Sequence, residues 1–257
     1  MKILVCVKQI ADPDSEIKID NISEWIDESK DTLFRINRYD EYALEEALLI
    51  KDVYKDTAID IISVGPERVS STIRKSLEKG ADNGIHINCD KGYIPAVETA
   101  SLIAEYIKDK DYDIIFTGVM SEDLMQGQVG PIIASSLSIP CGVSVTESEL
   151  KNDFSMITVV SELEGGVSEH IDISLPCLIT VQSGINRPRY PSLSNVMAAR
   201  AMEIITIDCV TLKNIDHTDE TISLEYPIIS SKGIIIDGNR EEKAEKFLNI
   251  LHEKGIL

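Results

Sequence analysis

The chain has 257 residues, of which 43% are hydrophobic, and its formal net charge at pH 7 is −19. This length suits one large domain, or one domain with an appendage, and allows a sizeable core. The acidic composition makes nucleic acid and anionic membranes poor partners, and no apolar run approaches the roughly 18 residues that a membrane span needs.

The first apolar segment and the cysteines together indicate an intracellular protein. Residues 2–7 are apolar but too few for a signal peptide, and acidic residues follow them. The five cysteines form no C-x-x-C pair, and the four histidines stand far apart in the sequence. We therefore expect reduced thiols, a cytoplasmic location and no metal site.

Strands and helices alternate from the N-terminus as far as residue 137. Residues 2–7 predict a buried strand, residues 16–20 an edge strand, and residues 41–52 an amphipathic helix with Asp40 as its N-cap. Further strands are predicted at 58–64, 84–88 and 113–117, and further helices at 67–80, at 95–108 and from Gln128 onward. The alternation predicts right-handed crossovers and an α/β fold, with a doubly wound, mostly parallel, Rossmann-like sheet.

Ligands of such sheets bind outside the carboxyl ends of the strands. The segments expected to meet there are Cys6–Gln9, Val64–Gly65 and Gly118–Gly130. In the last of these, Gly127 and Gly130 flank the start of a helix, where backbone N–H groups and the helix dipole suit a phosphate group. An ordinary strand-to-helix turn of an α/β protein would have the same pattern.

The pattern changes after Pro140. Residues 142–149, 155–162 and 170–173 predict strands of an antiparallel extension, and 177–181 another apolar strand. Two prolines, Pro188 and Pro191, predict an extended loop before a short helix capped by Ser194 or Asn195. Residues 203–239 look mostly extended, and 240–254 form an amphipathic helix. We expect a core at 1–183 and, at 184–257, a loop and an arm that packs on another subunit; the alternative is an arm that folds back on its own sheet.

Several motifs in order resemble the small (beta) subunit of electron-transfer flavoproteins. They are Val5–Gln9 with Asp12 and 17–20, Asn37 and Asp40 with 43–48, Gly65-Pro66, 80–82, the nucleotide loop 128–131, and the recognition loop 188–193 with Asn195 and Met197. The resemblance covers nearly the whole chain. It implies a heterodimer with a larger alpha subunit that carries a mobile flavin domain, and an adenine nucleotide bound to the small subunit.

The family that this chain resembles has two branches, which differ in the nucleotide of the small subunit. In ordinary members the nucleotide is AMP, a structural piece. In electron-bifurcating members it is FAD, which accepts a hydride from NADH and sends one electron to ferredoxin or flavodoxin and one, through the alpha-subunit flavin, to a dehydrogenase. The V-K-Q opening and the Gln-Val-Gly-Pro loop look more like the bifurcating branch, so FAD is expected and AMP is the alternative. The partner dehydrogenase would be an acyl-CoA dehydrogenase or a flavin-dependent 2-hydroxy-acid dehydrogenase.

Candidate site residues follow from these positions. Backbone N–H groups of Gln126, Gly127, Gln128, Val129 and Gly130 would hold the phosphates, Cys6 and Val64 would contact the adenosine, Asn37 and Asp40 the base or ribose, and Asp123 a ribose hydroxyl. Pro188, Arg189, Tyr190 and Leu193 would recognise the dehydrogenase, with Leu193 as the apolar anchor or else buried under its own loop. Tyr190 and Trp25 are more typical of packing residues than of flavin stackers. No catalytic side chain is expected. A flavin-free, adenine-nucleotide-binding stress or signalling protein of the same fold is the alternative from another class.

Overall fold

The structure is a computed structural model that describes residues 1–20, 25–27, 32–212, 221–226 and 233–257. Its strands are β1 (Lys2–Cys6), β2 (Gln9–Ala11), β3 (Ile19–Asp20), β4 (Trp25–Ile26), β5 (Phe34–Ile36), β6 (Ala58–Gly65), β7 (Asn83–Asn88), β8 (Ile114–Gly118), β9 (Cys141–Leu150), β10 (Met156–Glu162), β11 (Ser168–Ser174), β12 (Cys177–Val181) and β13 (Ile204–Asp208). Its α-helices are α1 (Arg38–Val53), α2 (Ser70–Lys79), α3 (Ala96–Ile107), α4 (Val129–Leu137), α5 (Leu193–Ala201) and α6 (Arg240–Glu253). Parts of the expected extended tail, 213–220 and 227–232, lie outside the described residues.

One nine-stranded sheet carries the fold, in the order β11-β10-β9-β12-β8-β1-β6-β7-β13. Near one edge β10 pairs antiparallel with both β9 and β11, and all other neighbouring strands of the sheet pair parallel. The predicted α/β fold with an antiparallel extension is confirmed. The central strand β1 is buried from Ile3 to Cys6, as expected for a strand with helices on both faces.

Helices cover both faces of this sheet. The apolar sides of α1 and α2 pack on one face, where Leu44, Leu48 and Leu77 are almost fully buried. Those of α3 and α4 pack on the other face, which contains Leu102 and Ile133. This division makes the sheet doubly wound, and it leaves the carboxyl ends of the central strands free at one edge.

Several predicted boundaries are corrected. Helix α1 begins at Arg38 with Asn37 as its N-cap, so Asp40 lies inside the first turn. Strand β3 does not extend the main sheet but pairs with β4 in a separate two-stranded sheet. Helix α5 begins earlier than expected, at Leu193, because the Ser192 side chain accepts a hydrogen bond from the backbone N–H of Asn195 and caps it.

Strand β13 is the main element that the pattern did not predict. It pairs parallel with β7 and forms an edge of the main sheet, although residues from 203 onward looked merely extended.

The chain forms two compact units, Met1–Ser223 and Leu224–Leu257. Within the second unit α6 starts with a capping box between Asn239 and Glu242, which confirms the predicted helix. None of the helices in the described ranges is both long enough and apolar enough to span a bilayer.

Candidate functional site

A cleft opens where the strand order of the sheet reverses. The chain builds outward from β1 through β6 to β7, then returns to place β8 on the other side of β1. The cleft lies at the carboxyl ends of these strands and contains about 1190 Å³ of space, solvent at its mouth included. Its lining includes all three segments that were expected to meet there, Cys6–Gln9, Val64–Gly65 and Gly118–Gly130. Reversal points of this kind are the usual ligand sites of open α/β sheets.

The bend before α4 presents a row of unpartnered backbone donors to the cleft. In the described part of the chain, no group accepts a hydrogen bond from the backbone N–H of Gln126, Gly127, Gln128, Val129 or Gly130. Gly127 has a φ of +63°, a conformation that glycine adopts without strain. The first N–H groups of a helix need external acceptors, and the dipole behind them favours an anion.

Gly130 fixes the start of α4 against the sheet. A Cβ atom at this position would lie 2.7 Å from Cγ2 of Thr180 and 2.8 Å from Oγ1 of Thr117. Only glycine therefore lets the helix start so close to β8 and β12. The buried end of the bend, at Gly130, is accordingly held at the ends of the strands, whereas Gln126, Gly127 and Gln128 are exposed.

Asp40 links the ends of β1 and β8. Its Oδ2 accepts a hydrogen bond from the backbone N–H of Lys8 at 2.7 Å, and its Oδ1 accepts one from the backbone N–H of Gly118 at 3.0 Å. Burial raises the pKa of this carboxyl to about 7, against the lowering effect of these hydrogen bonds and of the Asn37 side chain. Asp40 lines the cleft, but both of its oxygens already bind the protein backbone.

Asn37, like Asp40, binds backbone groups with its side chain, here in the loop that leads to the bend. Its amide nitrogen donates to the carbonyl of Met120 at 2.9 Å, and its amide oxygen accepts from the backbone N–H of Glu122 at 3.1 Å. Glu122 in turn accepts hydrogen bonds from the Arg35 side chain and from the backbone N–H of Arg38, the first residue of α1. The start of α1 and the loop after β8 therefore hold each other in place.

Asp123 forms an ion pair at the mouth of the cleft. Its carboxylate lies 2.8 Å from Nζ of Lys8, and this ammonium group also donates to Oγ of Ser121. Both charged side chains are partly exposed, at 38% for Lys8 and 30% for Asp123. The pair brings a cation to the cleft and places the Asp123 carboxylate beside it.

The two expected adenosine contacts, Cys6 and Val64, also line the cleft. Cys6 is buried at the end of β1, and this burial, with a smaller effect from Asp40, raises the pKa of its thiol well above the ordinary value. The thiol is therefore neutral near pH 7 and behaves as a small apolar surface. Val64, near the end of β6, is half-buried.

Aromatic side chains form a further wall of the cleft. The rings of Trp25 and Tyr93 lie 5.1 Å apart between their centroids, and the Arg68 guanidinium lies 4.1 Å above the ring of Phe34. All four side chains line the cleft. Trp25 thus packs on Tyr93, as expected of a packing residue, yet it does so at the edge of the cleft.

The expected recognition residues lie on a separate surface, the docking segment, which we define as residues 186–202. Arg189 does not point away from the protein: its guanidinium binds Glu45 of α1 through two nitrogens and also Asp52. Tyr190 and Leu193 are 95% and 78% exposed. Burial of Leu193 under its own loop, and packing by Tyr190, are therefore wrong for this chain. Pro188 is half-buried.

Comparison with known proteins decides the family. The model for "Electron transfer flavoprotein domain" matches residues 27–211. The "Electron transfer flavoprotein subunit beta" of Methylophilus methylotrophus is 32% identical to this chain, with 98% of each protein covered. The protein of the same name from Bacillus subtilis is 31% identical, with 99% of this chain and 98% of the relative covered. The protein of that name from Megasphaera elsdenii is 34% identical, with 82% of this chain and 80% of the relative covered.

The chain belongs to the electron transfer flavoprotein beta-subunit family. The resemblance seen in the sequence is thereby confirmed at the level of the family. A flavin-free stress or signalling protein, the alternative from another class, has no support from these relatives.

Some cleft residues of this electron transfer flavoprotein chain were expected only as part of a segment, or not at all. Lys8 and Gln9 belong to the expected segment Cys6–Gln9 without a role of their own, and Tyr93 and Phe34 carry no motif. Gln9 is buried; its side-chain Nε2 donates to Oγ1 of Thr72 at 2.9 Å, while its side-chain Oε1 accepts from Nη1 of Arg68 at 2.6 Å. The sequence signal for Lys8 and Gln9 was their position at the carboxyl end of the first strand, whereas Tyr93 and Phe34 come together only through the fold.

Proposed function

We propose that this chain is the small subunit of a heterodimeric electron-transfer flavoprotein, and that its cleft binds FAD. The observation that carries the proposal is the row of unpartnered backbone N–H groups from Gln126 to Gly130, at the point where the sheet reverses. Such donors at a helix start bind phosphate without any basic side chain. Backbone donors of this kind can therefore bind an anion even in a chain with a net charge of −19.

The residues present fit a dinucleotide. The bend would hold the pyrophosphate, the ends of β1 and β6 at Cys6 and Val64 would contact the adenosine, and Lys8 would face the phosphates. Asp40 and Asn37 would shape the site through the backbone rather than touch the base, since their polar atoms are engaged. When bound, FAD would take two electrons from NADH and pass them on singly to two acceptors.

The aromatic wall favours FAD over AMP. Trp25, Tyr93 and Phe34 give the cleft an apolar side that a nucleoside monophosphate would not need. AMP remains the alternative, because the bend and the strand ends alone would hold it. Our proposal therefore includes electron bifurcation, with NADH as donor and ferredoxin or flavodoxin as the low-potential acceptor.

The number of FAD and AMP molecules bound per heterodimer distinguishes FAD from AMP as the ligand of the cleft. The heterodimer would be purified without added flavin and denatured, and the released FAD and AMP would be measured per heterodimer. We expect two FAD, one from each subunit, and no AMP. One FAD with one AMP would overturn the bifurcating role and leave a scaffold that supports electron transfer through the alpha-subunit flavin alone.

The remaining surfaces would serve protein partners. We propose that residues 184–257, apart from strand β13 of the main sheet, form a docking loop and an arm on the alpha subunit. Tyr190 and Leu193 would anchor a dehydrogenase, either for acyl-CoA or for a flavin-dependent 2-hydroxy-acid reaction. Exposure of 78% makes Leu193 available as an anchor. Replacement by alanine should raise the KM for the partner dehydrogenase about tenfold and leave the nucleotide content unchanged. An unchanged KM with both dehydrogenase classes would refute this anchor.

A further inference from the structure

The docking segment is held between two arginine anchors. On its N-terminal side, Arg189 binds Glu45 of α1 through its Nε and Nη2 atoms at 3.0 and 2.9 Å. On its C-terminal side, Arg74 of α2 donates to the carbonyls of Ala199 and Met202, at the end of α5. The exposed Tyr190 and Leu193 lie between these anchors.

The first anchor is unusual in how deeply its acid is placed. The side chain of Glu45 is only 5% exposed, and besides the guanidinium it accepts the backbone N–H of Arg189 at 2.9 Å. Both the side chain and the main chain of Arg189 are therefore fixed by one carboxylate. Bidentate contacts between a guanidinium and a carboxylate have strict geometry, so this contact sets the direction of the chain that follows.

Neighbouring residues add to the same arrangement. Asp52, one of the last residues of α1, accepts a second hydrogen bond from Arg189 at 2.8 Å, and this contact lowers the pKa of its carboxyl. Glu46, next to Glu45 and also buried, accepts a hydrogen bond from Asn186 at 2.9 Å. Two consecutive buried acids on one helix thus bind the loop at two points, three residues apart.

A stabilising role for the fold explains this poorly. An ion pair between a buried acid and a guanidinium that is 32% exposed contributes little net stability compared with apolar packing, because desolvation of the acid opposes the attraction. What it does provide is a fixed geometry. The residues that gain from it, Tyr190 and Leu193, bury little surface of their own, and an exposed segment with such side chains would otherwise sample many conformations.

We infer that Glu45 is a positioning residue for partner docking, which acts through Arg189 to hold Tyr190 and Leu193 in a preformed arrangement before the dehydrogenase arrives. This inference rests on the docking role proposed above for Leu193. It adds that the affinity for the dehydrogenase depends on a buried acid of α1 that the partner never touches.

Trypsin offers a direct measure in the whole heterodimer. The Arg189–Tyr190 bond is a trypsin site, whereas Arg187 is followed by proline and is resistant. In the wild type the Arg189 side chain is engaged by Glu45 and Asp52, so cutting at this bond should be slow. In Glu45→Gln, which keeps the shape but removes the charge, cutting there should be about tenfold faster by mass spectrometry, since the ordered arrangement is lost.

A matched control exists on the same helix. Glu41 forms an ion pair with Lys79 at 2.7 Å and, among the described residues, no hydrogen bond or ion pair with the docking segment, so Glu41→Gln should leave cutting at Arg189 unchanged. Should Glu45→Gln fail to fold, Arg189→Lys keeps the trypsin site and the charge but loses the bidentate geometry, and the same acceleration is expected. Equal cutting rates in the wild type and in whichever of these variants folds would overturn the inference.

Steady-state assays with an acyl-CoA dehydrogenase from the source organism separate this inference from the proposal beneath it. We expect Glu45→Gln to raise the KM for that dehydrogenase about tenfold at unchanged kcat and unchanged nucleotide content. A raised KM in Leu193→Ala with an unchanged KM in Glu45→Gln would overturn the positioning role alone. An unchanged KM in Leu193→Ala, both with this enzyme and with a flavin-dependent 2-hydroxy-acid dehydrogenase, would instead overturn the docking role of that surface, and with it the function of this anchor.

Discussion

The Oδ1 atom of Asp40 accepts a hydrogen bond from the backbone N–H of Gly118 over 3.0 Å, across the point where the sheet reverses its strand order. The other oxygen of the same carboxylate binds the end of β1 at Lys8. The edge of the cleft is therefore set by a helix side chain and not by the strands alone.

Replacement of Gly118 by alanine should destabilise the protein and distort the cleft. A Cβ atom there would lie 2.5 Å from Oδ1 of Asp40 and 2.9 Å from the carbonyl carbon of Tyr39, which belongs to rigid backbone. We expect a loss of about 1–3 kcal/mol in the free energy of unfolding, as for other overpacked sites, and a reduced nucleotide content. Urea unfolding gives the first and denaturing release of nucleotide the second. Gly233→Ala serves as control and should change neither, because no non-neighbouring atom of the described residues lies within 4 Å of the added carbon.

The ionisation of Asp40 should make stability depend on pH in a defined window. Burial raises its pKa in the folded protein to about 7 from the ordinary 3.8, so between these values the folded state holds a proton that the unfolded state has lost. The free energy of unfolding should then fall as pH rises through this window, by up to about 1.4 kcal/mol per unit, and level off above pH 7. Urea titrations of the wild type and Asp40→Asn at pH 5, 6, 7 and 8 isolate this effect. A difference between the two that stays constant from pH 5 to 7 would contradict it.

Removal of either charge of the Lys8–Asp123 pair, at the mouth of the cleft, should change the nucleotide affinity in opposite directions. Removal of the acid in Asp123→Asn should free the Lys8 ammonium, 2.8 Å away, for the phosphates and tighten nucleotide binding. Removal of the cation in Lys8→Gln should weaken it, and each change should be about three- to tenfold for such partly exposed charges. Isothermal titration of nucleotide-depleted protein measures both. If Asp123 instead binds a ribose hydroxyl, Asp123→Asn would weaken binding.

Trp25 is the only tryptophan of the chain and lines the cleft against Tyr93, so it should report on the ligand. Flavin absorbs where tryptophan emits, and FAD in the cleft should therefore quench most of the Trp25 fluorescence. AMP has no such absorption and should change the emission only slightly. The difference spectrum between wild-type and Trp25→Phe heterodimers isolates this residue from the alpha subunit. A Trp25 signal that is insensitive to the removal of FAD would place the flavin elsewhere.

The local pattern of the sequence was enough for most elements and for the position of the cleft. Alternating apolar runs and amphipathic segments predict the strands and helices up to α4, because a parallel sheet buried on both faces needs continuous apolar strands. The end of each predicted strand then predicts which segments line the cleft. Gly80 ends α2 with a φ of +123°, as expected of a C-terminal cap.

Distant contacts were beyond the sequence. Nothing local marks Ile204–Asp208 as a strand of the main sheet, because an edge strand that is half exposed has a weak apolar pattern. Asp40 looked like a helix cap or a ligand contact, and only the fold brings it to the ends of β1 and β8. A side chain's hydrogen-bond partners far along the chain depend on packing, which residue spacing does not encode.

The sequence by itself determined the α/β class, the glycine-flanked bend and the family, since these follow from periodicity and from short motifs of adjacent residues. Only the tertiary structure decided that Arg189 binds Glu45, 144 positions away, while Tyr190 remains exposed. The reason is physical: whether a charged side chain binds its own protein or is left for a partner depends on which groups the fold brings within hydrogen-bond distance.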